Sequence, residues 1–217
     1  MKHFLTAIGL SALGLAACQQ GVATPAPETL GAVNASAMTF FLTSVGPGDG
    51  ANLGAITGAD AHCTSLASAA GSTGRTWRAY LSTDGQDAKD RIGTGPWVNA
   101  RGVTVATSVA NLLDENANNL SKANSLSETG QIINGRGDSP NRHDILTGSN
   151  KDGTLSGDTC NDWTSNGPGS ATVGHHDRTG GGQSPTHWST AHASRGCSQS
   201  SLRGSGGDGL FYCFAVN

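Results

Sequence analysis

Four cysteines constrain the fold of this chain more than any other feature. They are Cys63, Cys160, Cys197 and Cys213, and no two of them form a Cys-x-x-Cys pair, so a thioredoxin-like or zinc-ribbon site has no support. An even number of cysteines in an exported protein predicts two disulfides, for which three connectivities are possible. We favour the nested one. Its outer bond would link the first predicted helix to the last strand, and its inner bond, Cys160 to Cys197, would close the neck of a long loop.

The N-terminus has the features of an export signal over residues 1–17. A short positive head, Met1-Lys2-His3, precedes the mostly apolar run from Phe4 to Leu15, which is too short to span a bilayer as a helix. The segment Leu15-Ala16-Ala17-Cys18 resembles a bacterial lipobox, and Gln19 follows it. We therefore expect Cys18 to carry lipid and to anchor the protein at the outer membrane of a bacterial cell envelope. The alternative is an ordinary signal peptide with a cysteine nearby.

Composition separates a tether from one domain. Residues 18–37 are small, polar and proline-containing, as in a flexible tether. Residues 38–217 are long enough for a single domain. Only 13% of residues are charged, the net charge is −3 and no basic stripe occurs, which argues against a nucleic-acid partner. The 32 glycines predict many turns and long loops.

Periodicity and turn residues predict short strands with few helices. The clearest helix covers 58–71, where Ala59, Cys63, Leu66 and Ala70 form one apolar stripe. Shorter helices are expected over 88–92 and 108–113. Residues 114–144 are expected to be irregular and to lie on the surface. Strands are predicted over 38–44, 76–82, 95–98, 103–106, 144–148 (with its turn) and 210–216.

Several segments, taken in order, carry a family likeness. They are Phe40-Phe41-Leu42-Thr43-Ser44, Gly58-Ala59-Asp60-Ala61-His62-Cys63, Arg78-Ala79-Tyr80-Leu81-Ser82, Leu146-Thr147-Gly148 with Cys160-Asn161-Asp162-Trp163-Thr164-Ser165, and Leu210-Phe211-Tyr212-Cys213-Phe214. Together they resemble bacterial lipoprotein domains similar to the endostatin domain of collagens.

This resemblance implies an α+β, C-type lectin-like fold over residues 38–217. It implies a small twisted antiparallel sheet, flanking helices, long loops and the nested disulfides. It implies no activity. The chain has no Glu-Pro-Asn or Gln-Pro-Asp segment, and Asn161-Asp162-Trp163 follows its cysteine in an order that differs from the sugar-binding lectins. Calcium-dependent sugar binding is therefore not carried over.

The loop between Cys160 and Cys197 holds the densest set of possible metal ligands. Imidazole nitrogens and carboxylate oxygens are ligands for zinc, and calcium is the other ion that we consider. The candidate ligands are His175, His176, Asp177 and His187. Their spacing matches no compact metal motif. The alternative is that these histidines face solvent or hydrogen-bond to the loop backbone.

The same loop offers candidates for ligand binding. Trp188 lies among Ser, Thr and His and could stack on a sugar or another apolar face, whereas Trp163 is expected to be a core residue. Asn161, Asp162 and Arg178 complete the set of predicted ligand-binding residues.

No pattern typical of an enzyme is present. The chain lacks a Gly-x-Ser-x-Gly elbow and a Gly-rich phosphate loop between strand and helix. We therefore predict a non-enzymatic recognition module for a glycan or a surface protein. One alternative is a metal-binding protein or metal-dependent hydrolase that uses the histidines of residues 175–192. Another is a structural or adhesive envelope component, to which Arg136-Gly137-Asp138 would contribute.

Overall fold

The computed structural model describes Met1, His3 and residues 31–217. The predicted signal peptide, the lipidation of Cys18 and most of the predicted tether lie outside the described residues. The last part of that tether, residues 31–37, contacts the domain: the Asn34 backbone N–H donates to Ala100 O at 2.7 Å, and Arg101 Nη1 donates to Gly31 O at 2.6 Å. Among the helices of the described residues, none has the length and apolarity needed to cross a membrane.

The described chain is a mixed α+β structure built around a small sheet. The strands are β1 (Phe40–Leu42), β2 (Trp77–Ala79), β3 (Trp97–Val98), β4 (Thr104–Ala106), β5 (Asp144–Leu146), β6 (Thr172–His175), β7 (His192–Ala193) and β8 (Gly207–Ala215). The main sheet has the strand order β1-β8-β5-β6-β7, and β2 also pairs with β8. A separate hairpin is formed by β3 and β4.

The helical segments are few and short apart from the first. They are α1 (Ala55–Ala69), α2 (Val109–Leu113), the single turn α3 (Cys160–Trp163) and α4 (Gln199–Ser205), with 3₁₀ turns at Ala35–Ala37 and Ala88–Asp90. Each predicted helix has a counterpart among them. The helix predicted over 58–71 begins earlier in the structure, at Ala55. Its N-cap residue is Gly54, with a φ of 75°, and residues 55–57 belong to its first turn.

Strand β8 separates two apolar layers. Phe211 and Cys213 face one layer, which also contains α1 and Trp163, whereas Leu210, Tyr212 and Phe214 face the other. All five side chains are fully buried. Successive residues of a strand point to opposite faces, so a nearly continuous apolar run indicates a strand covered on both sides.

The last strand is longer than the sequence predicts, and the sheet is not purely antiparallel. β8 begins at Gly207 because its first residues pair with β5, with Asp144 opposite Gly207 and Leu146 opposite Phe211, and this pairing is parallel. The other pairings of the main sheet are antiparallel. The polar residues at the start of β8 show no alternation of apolar and polar side chains, so the sequence does not predict them as strand. Pairing with β5 decides where the strand begins.

Both disulfides confirm the nested pairing. Cys63 of α1 is bonded to Cys213 of β8, and Cys160 is bonded to Cys197. The first bond fastens the helix to the central strand, across the buried layer that the two share. The second closes the loop that carries β6 and β7.

A buried ion pair adds a second link between α1 and the sheet. The carboxylate of Asp60 accepts from Arg91 Nη2 at 2.6 and 2.8 Å and from the Ala79 backbone N–H at 2.9 Å. Arg78 Nη1 approaches it at 2.8 Å from a more exposed position. Burial lowers the pKa of Arg91, and the charge of Asp60 opposes that effect.

We predict that Asp60→Ala destabilises the fold by about 3–5 kcal/mol, because it leaves the Arg91 charge buried without its partner. Urea denaturation followed by circular dichroism measures the free energy of unfolding. The matched control is Asp90→Ala, which removes a carboxylate that is 65% exposed and paired with Lys89, and we expect it to cost less than about 1 kcal/mol. Equal losses for the two variants would contradict the structural role of Asp60.

Candidate metal centre

Three neighbouring strands bring an acidic residue and two histidines to one place. In the β5–β6 pair Asp144 lies opposite His175, and in the β6–β7 pair Val173 lies opposite His192. His143 immediately precedes β5. Four residues that are up to 49 positions apart in the sequence (143 to 192) therefore meet where β5, β6 and β7 lie side by side.

The side chains of these residues converge on a single carboxylate oxygen. Asp144 Oδ1 lies 3.0 Å from Nε2 of His143, 3.3 Å from Nε2 of His175 and 3.5 Å from Nε2 of His192. The Nε2 atoms of His175 and His192 are 3.1 Å apart. Neighbouring ligand atoms around tetrahedral zinc are separated by about 3.3 Å, given zinc–ligand bonds of about 2.0–2.1 Å. Each of these four distances is close to the spacing of two ligands of one ion.

The cluster is buried, and its inner atoms lack hydrogen-bond donors. The exposed fractions of His143, Asp144 and His175 are 5%, 2% and 0%, and each of the three offers a ligand atom within 4.8 Å of the others. Among the described residues, neither oxygen of Asp144 has a hydrogen-bond partner of good geometry. Burying a carboxylate without hydrogen-bond donors costs free energy. The two oxygens of Asp144 therefore need a compensating positive charge.

The backbone determines which ring nitrogens point inward as acceptors. Nδ1 of His175 lies 2.8 Å from Pro185 O, and Nδ1 of His192 lies 3.0 Å from Ala193 O. Because a carbonyl oxygen only accepts, each Nδ1 carries the hydrogen, and in the neutral ring Nε2 is then a lone pair. Two lone pairs 3.1 Å apart therefore face each other beside a carboxylate.

A second carboxylate lies behind His143. Asp177 Oδ1 is 3.4 Å from His143 Nδ1, and Asp177 Oδ2 accepts from the Arg136 backbone N–H at 2.5 Å. Burial works to raise the pKa of Asp177, but the hydrogen bonds from His143 and Arg136 keep it below the usual value. An ionised carboxylate on the far side of a ligand histidine orients the ring and makes it more basic.

Burial and the contacts between the groups act in opposite directions on Asp144 and His192. Burial would raise the pKa of Asp144, but the close approach of the His175 and His192 rings keeps that pKa below its usual value. The contact with Asp144 raises the pKa of His192. A positive charge, either a proton or a metal ion, is therefore favoured where these groups meet.

Two glycines allow the backbone to cover the imidazoles. A Cβ at Gly180, whose φ is 138°, would lie 2.6 Å from Cε1 of His175, and a Cβ at Gly182 would lie 3.1 Å from Cδ2 of His192. Gly180 and Gly182 thus lie directly against the rings of His175 and His192. No other residue type would permit so close an approach without displacing the rings.

Two surface clefts meet at His192. One of about 400 Å³ is lined by hydroxyl, amide and carboxylate groups, and the other, of about 340 Å³, is lined by Gly181, Gly182, Ala193, Arg195 and Ser205. His192 lies in the wall of both. Its side chain is 27% exposed, so the cluster reaches solvent through this residue.

The structure divides the four predicted metal ligands. Only His175 belongs to the cluster, and Asp177 lies behind it against His143. His176 points away, with Nε2 3.1 Å from Asn134 O. The Nδ1 of His187 accepts from the backbone of Ser189 and Thr190, and burial lowers the pKa of His187 to about 4.

The predicted ligand-binding residues serve the fold in this structure. Trp188 is fully buried between Tyr80 and Tyr212, so its ring faces are covered by protein rather than open to a sugar. Asp162 Oδ1 accepts from the Asp84 backbone N–H at 3.0 Å. Asn161 Nδ2 donates to Thr164 Oγ1 at 2.7 Å.

Two further candidates are tied into the protein in the same way. Arg178 Nη2 donates to Glu115 O, and Arg178 is not among the residues that line the two clefts at His192. In the Arg136-Gly137-Asp138 segment, the Asp138 carboxylate pairs with Lys122 at 2.6 Å and accepts from the Gly135 backbone N–H. The acidic group that an adhesive loop would present is therefore already engaged.

Sequence reasoning missed three members of the cluster. His143 and Asp144 precede the Cys160–Cys197 loop, and His192 was counted in the histidine-rich stretch but not chosen as a ligand. A usable signal was present, since His143-Asp144 lies at the start of a predicted strand. What was lacking was the strand order, which no local pattern contains.

We predict that Gly180→Ala disrupts the cluster, because the added methyl group collides with His175 in a backbone conformation that L residues rarely adopt. The expected loss in free energy of unfolding is about 1–3 kcal/mol, measured by urea denaturation. The matched control is Gly181→Ala, where a Cβ would meet no atom within 4 Å and the change should stay within about 0.5 kcal/mol. A neutral Gly180→Ala would show that the loop does not lie against His175.

Comparison with known proteins returned no relative. No model of a known protein family matches the chain, and no curated protein matches it. What the cluster binds is therefore inferred from its own atoms.

Proposed function

We propose that this protein binds a transition metal ion, for which zinc is the first candidate. The ligands are His143, Asp144 and His175, with His192 as a fourth. The observation that carries the proposal is the convergence of three imidazole Nε2 atoms on one oxygen of Asp144. When the rings are neutral, the inner atoms are all acceptors, and a cation among them converts their mutual repulsion into coordination.

The ligand types favour zinc over calcium. Calcium takes six to eight oxygen ligands, whereas this cluster offers mainly imidazole nitrogen. Imidazole with carboxylate suits zinc and its neighbours in the first transition row. Copper and nickel share this preference, so the identity of the ion among these metals is an outcome of the test.

Protonation of the histidines is the alternative way to compensate the negative charge of Asp144. With Nδ1 of His175 and His192 already donating to carbonyls, a proton between the rings makes one of them an imidazolium. A second proton would be needed for the contact of His143 Nε2 with Asp144. Two imidazolium ions in a buried group are costly, whereas one divalent ion supplies the same charge and also satisfies the lone pairs.

We predict that the full chain, with both disulfides formed and after chelation, takes up one zinc ion, as measured by elemental analysis and titration calorimetry. At free zinc 100-fold above Kd, the ion should stabilise the fold by about 2.7 kcal/mol, because it binds only the folded chain. Asp144→Asn keeps the shape of the side chain but removes its charge, and it should lower zinc affinity strongly.

The control for this series is His62→Ala, which removes a histidine of α1 whose Nε2 contacts Val45 O at 2.8 Å, remote from the cluster. It should leave zinc affinity unchanged. A chelated protein that retains its circular dichroism spectrum and takes up no zinc, copper or nickel would refute the proposal and assign the cluster to protons.

We propose further that the fold is of the C-type lectin-like class and that a second, non-enzymatic function is recognition of a glycan. The nested disulfides and the terminal strand paired with β1 support the fold. The cleft of about 400 Å³ supports the function, because hydroxyl, amide and carboxylate groups are the partners that sugar hydroxyls need. Its lining includes Asn150, Ser156, Asp158, Thr172, Gln183, Ser184 and Thr190.

We predict that the full chain binds a subset of glycans on an array and that Asp158→Asn weakens this binding, because it removes a charged acceptor from the cleft wall. Asp49→Asn is the matched control, since Asp49 lies outside the lining of this cleft. Array binding that is absent, or that is equal for the two variants, would argue against recognition at this cleft. Persistence of binding after chelation would separate this function from the metal.

A further inference from the structure

We propose that the cleft of about 340 Å³ beside His192 binds a small oxyanion, a carboxylate or a phosphate monoester, which ligates the metal ion at the position that His192 holds and pairs with Arg195. This inference rests on the proposed metal binding. It adds to that site a coordination position at which one ligand can replace another, and it names oxyanions as the class of ligand that binds there.

His192 differs from the other members of the cluster in how it is held. The side-chain exposures of His143, Asp144 and His175 are 6%, 2% and 0%, whereas that of His192 is 27%. The ring of His175 is fixed through Pro185 O, ten residues away, but Nδ1 of His192 contacts only the carbonyl of the next residue, Ala193. A ligand that lies at the surface and is fixed locally is the one that most readily gives up its place.

Arg195 gives this cleft its charge. It is exposed and lines the same wall as His192. Within the described part of the chain, no carboxylate forms an ion pair with it, although the nearby Arg203 pairs with Asp208 at 2.8 Å. A guanidinium and a divalent ion on two sides of one small cleft favour an anion that has at least two oxygens.

The larger cleft on the other side of His192 is less suited to an anion. It contains the carboxylate of Asp158 and has no arginine or lysine in its lining. Like charge repels an oxyanion there, so the two clefts are expected to divide ligands by charge. The glycan proposed above uses the larger cleft, and the oxyanion uses the smaller.

Ligand exchange at the ion is balanced without any other reactant. The bond from the ion to His192 Nε2 breaks as a bond to an anion oxygen forms, and the ion keeps His143, Asp144 and His175. No group is oxidised and no proton has to leave the cluster. Open positions of this kind distinguish reactive zinc sites from purely structural ones.

The test uses the full chain loaded with Co²⁺, whose visible absorption reports the number and type of its ligands. Titration with acetate and with methyl phosphate should each change the spectrum, and the tighter of the two identifies the preferred class. Arg195→Gln should weaken binding by about 10-fold or more, because it removes a charged hydrogen-bond partner. The matched control is Arg203→Gln, which removes an arginine already paired with Asp208 and should leave the affinity within about 2-fold.

A further variant separates the possible failures. His192→Ala should retain Co²⁺ on the three buried ligands and should bind the anion at least as tightly, because the position is already free. If Co²⁺ binds to the native chain and neither anion alters its spectrum, the oxyanion site is wrong and metal binding stands. If the chain binds neither Co²⁺ nor zinc, copper or nickel, both proposals fall. An anion response that Arg195→Gln leaves unchanged would also refute the site.

Discussion

The burial of β8 on both faces is the constraint on which the rest of the structure depends. Phe211 and Cys213 fill one apolar layer, and Tyr212 and Phe214 fill the other, so the strand can be covered only if elements from the whole chain pack around it. β1, β2 and β5 all pair with it. The disulfide from Cys63 holds α1 over one of its faces.

The same constraint produces the polar cluster. Because β5 lies between β8 and β6, Asp144 is placed inside the sheet with His175 opposite it. The charge of Asp144 is buried there without a hydrogen-bond donor among the described residues. A fold that needed only stability would replace such a group by apolar residues, since buried charges are rarely stabilising. A functional requirement for the carboxylate explains its presence better, and the metal binding proposed above would supply one.

Much of the framework could be predicted because its signals are local. The helix stripe through Ala59 and Cys63, the turn residues, and the apolar run at 210–216 each specify an element from a few neighbouring residues. The nested disulfide pairing was favoured because it links the first helix to the last strand and closes the loop between Cys160 and Cys197. The site was predicted less well: His175 was among the predicted metal ligands and lies in the cluster, but His143 and Asp144 were not considered, and Trp188 was expected at a surface although it is fully buried. Its ring is covered by Tyr80 and Tyr212, which lie far away in sequence.

The sequence by itself indicated six of the eight strands and the helices α1 and α2, favoured the disulfide pairing that forms, and showed many histidines within one closed loop, whereas β6, β7 and α4 were not predicted. These depend on period, composition and the pairing of four cysteines. Only the tertiary structure decided which imidazoles face one another, because that depends on strand order and register. Asp144, His175 and His192 meet through two pairings, β5 with β6 and β6 with β7, and a shift of one residue in either would turn a ligand to the opposite face of the sheet.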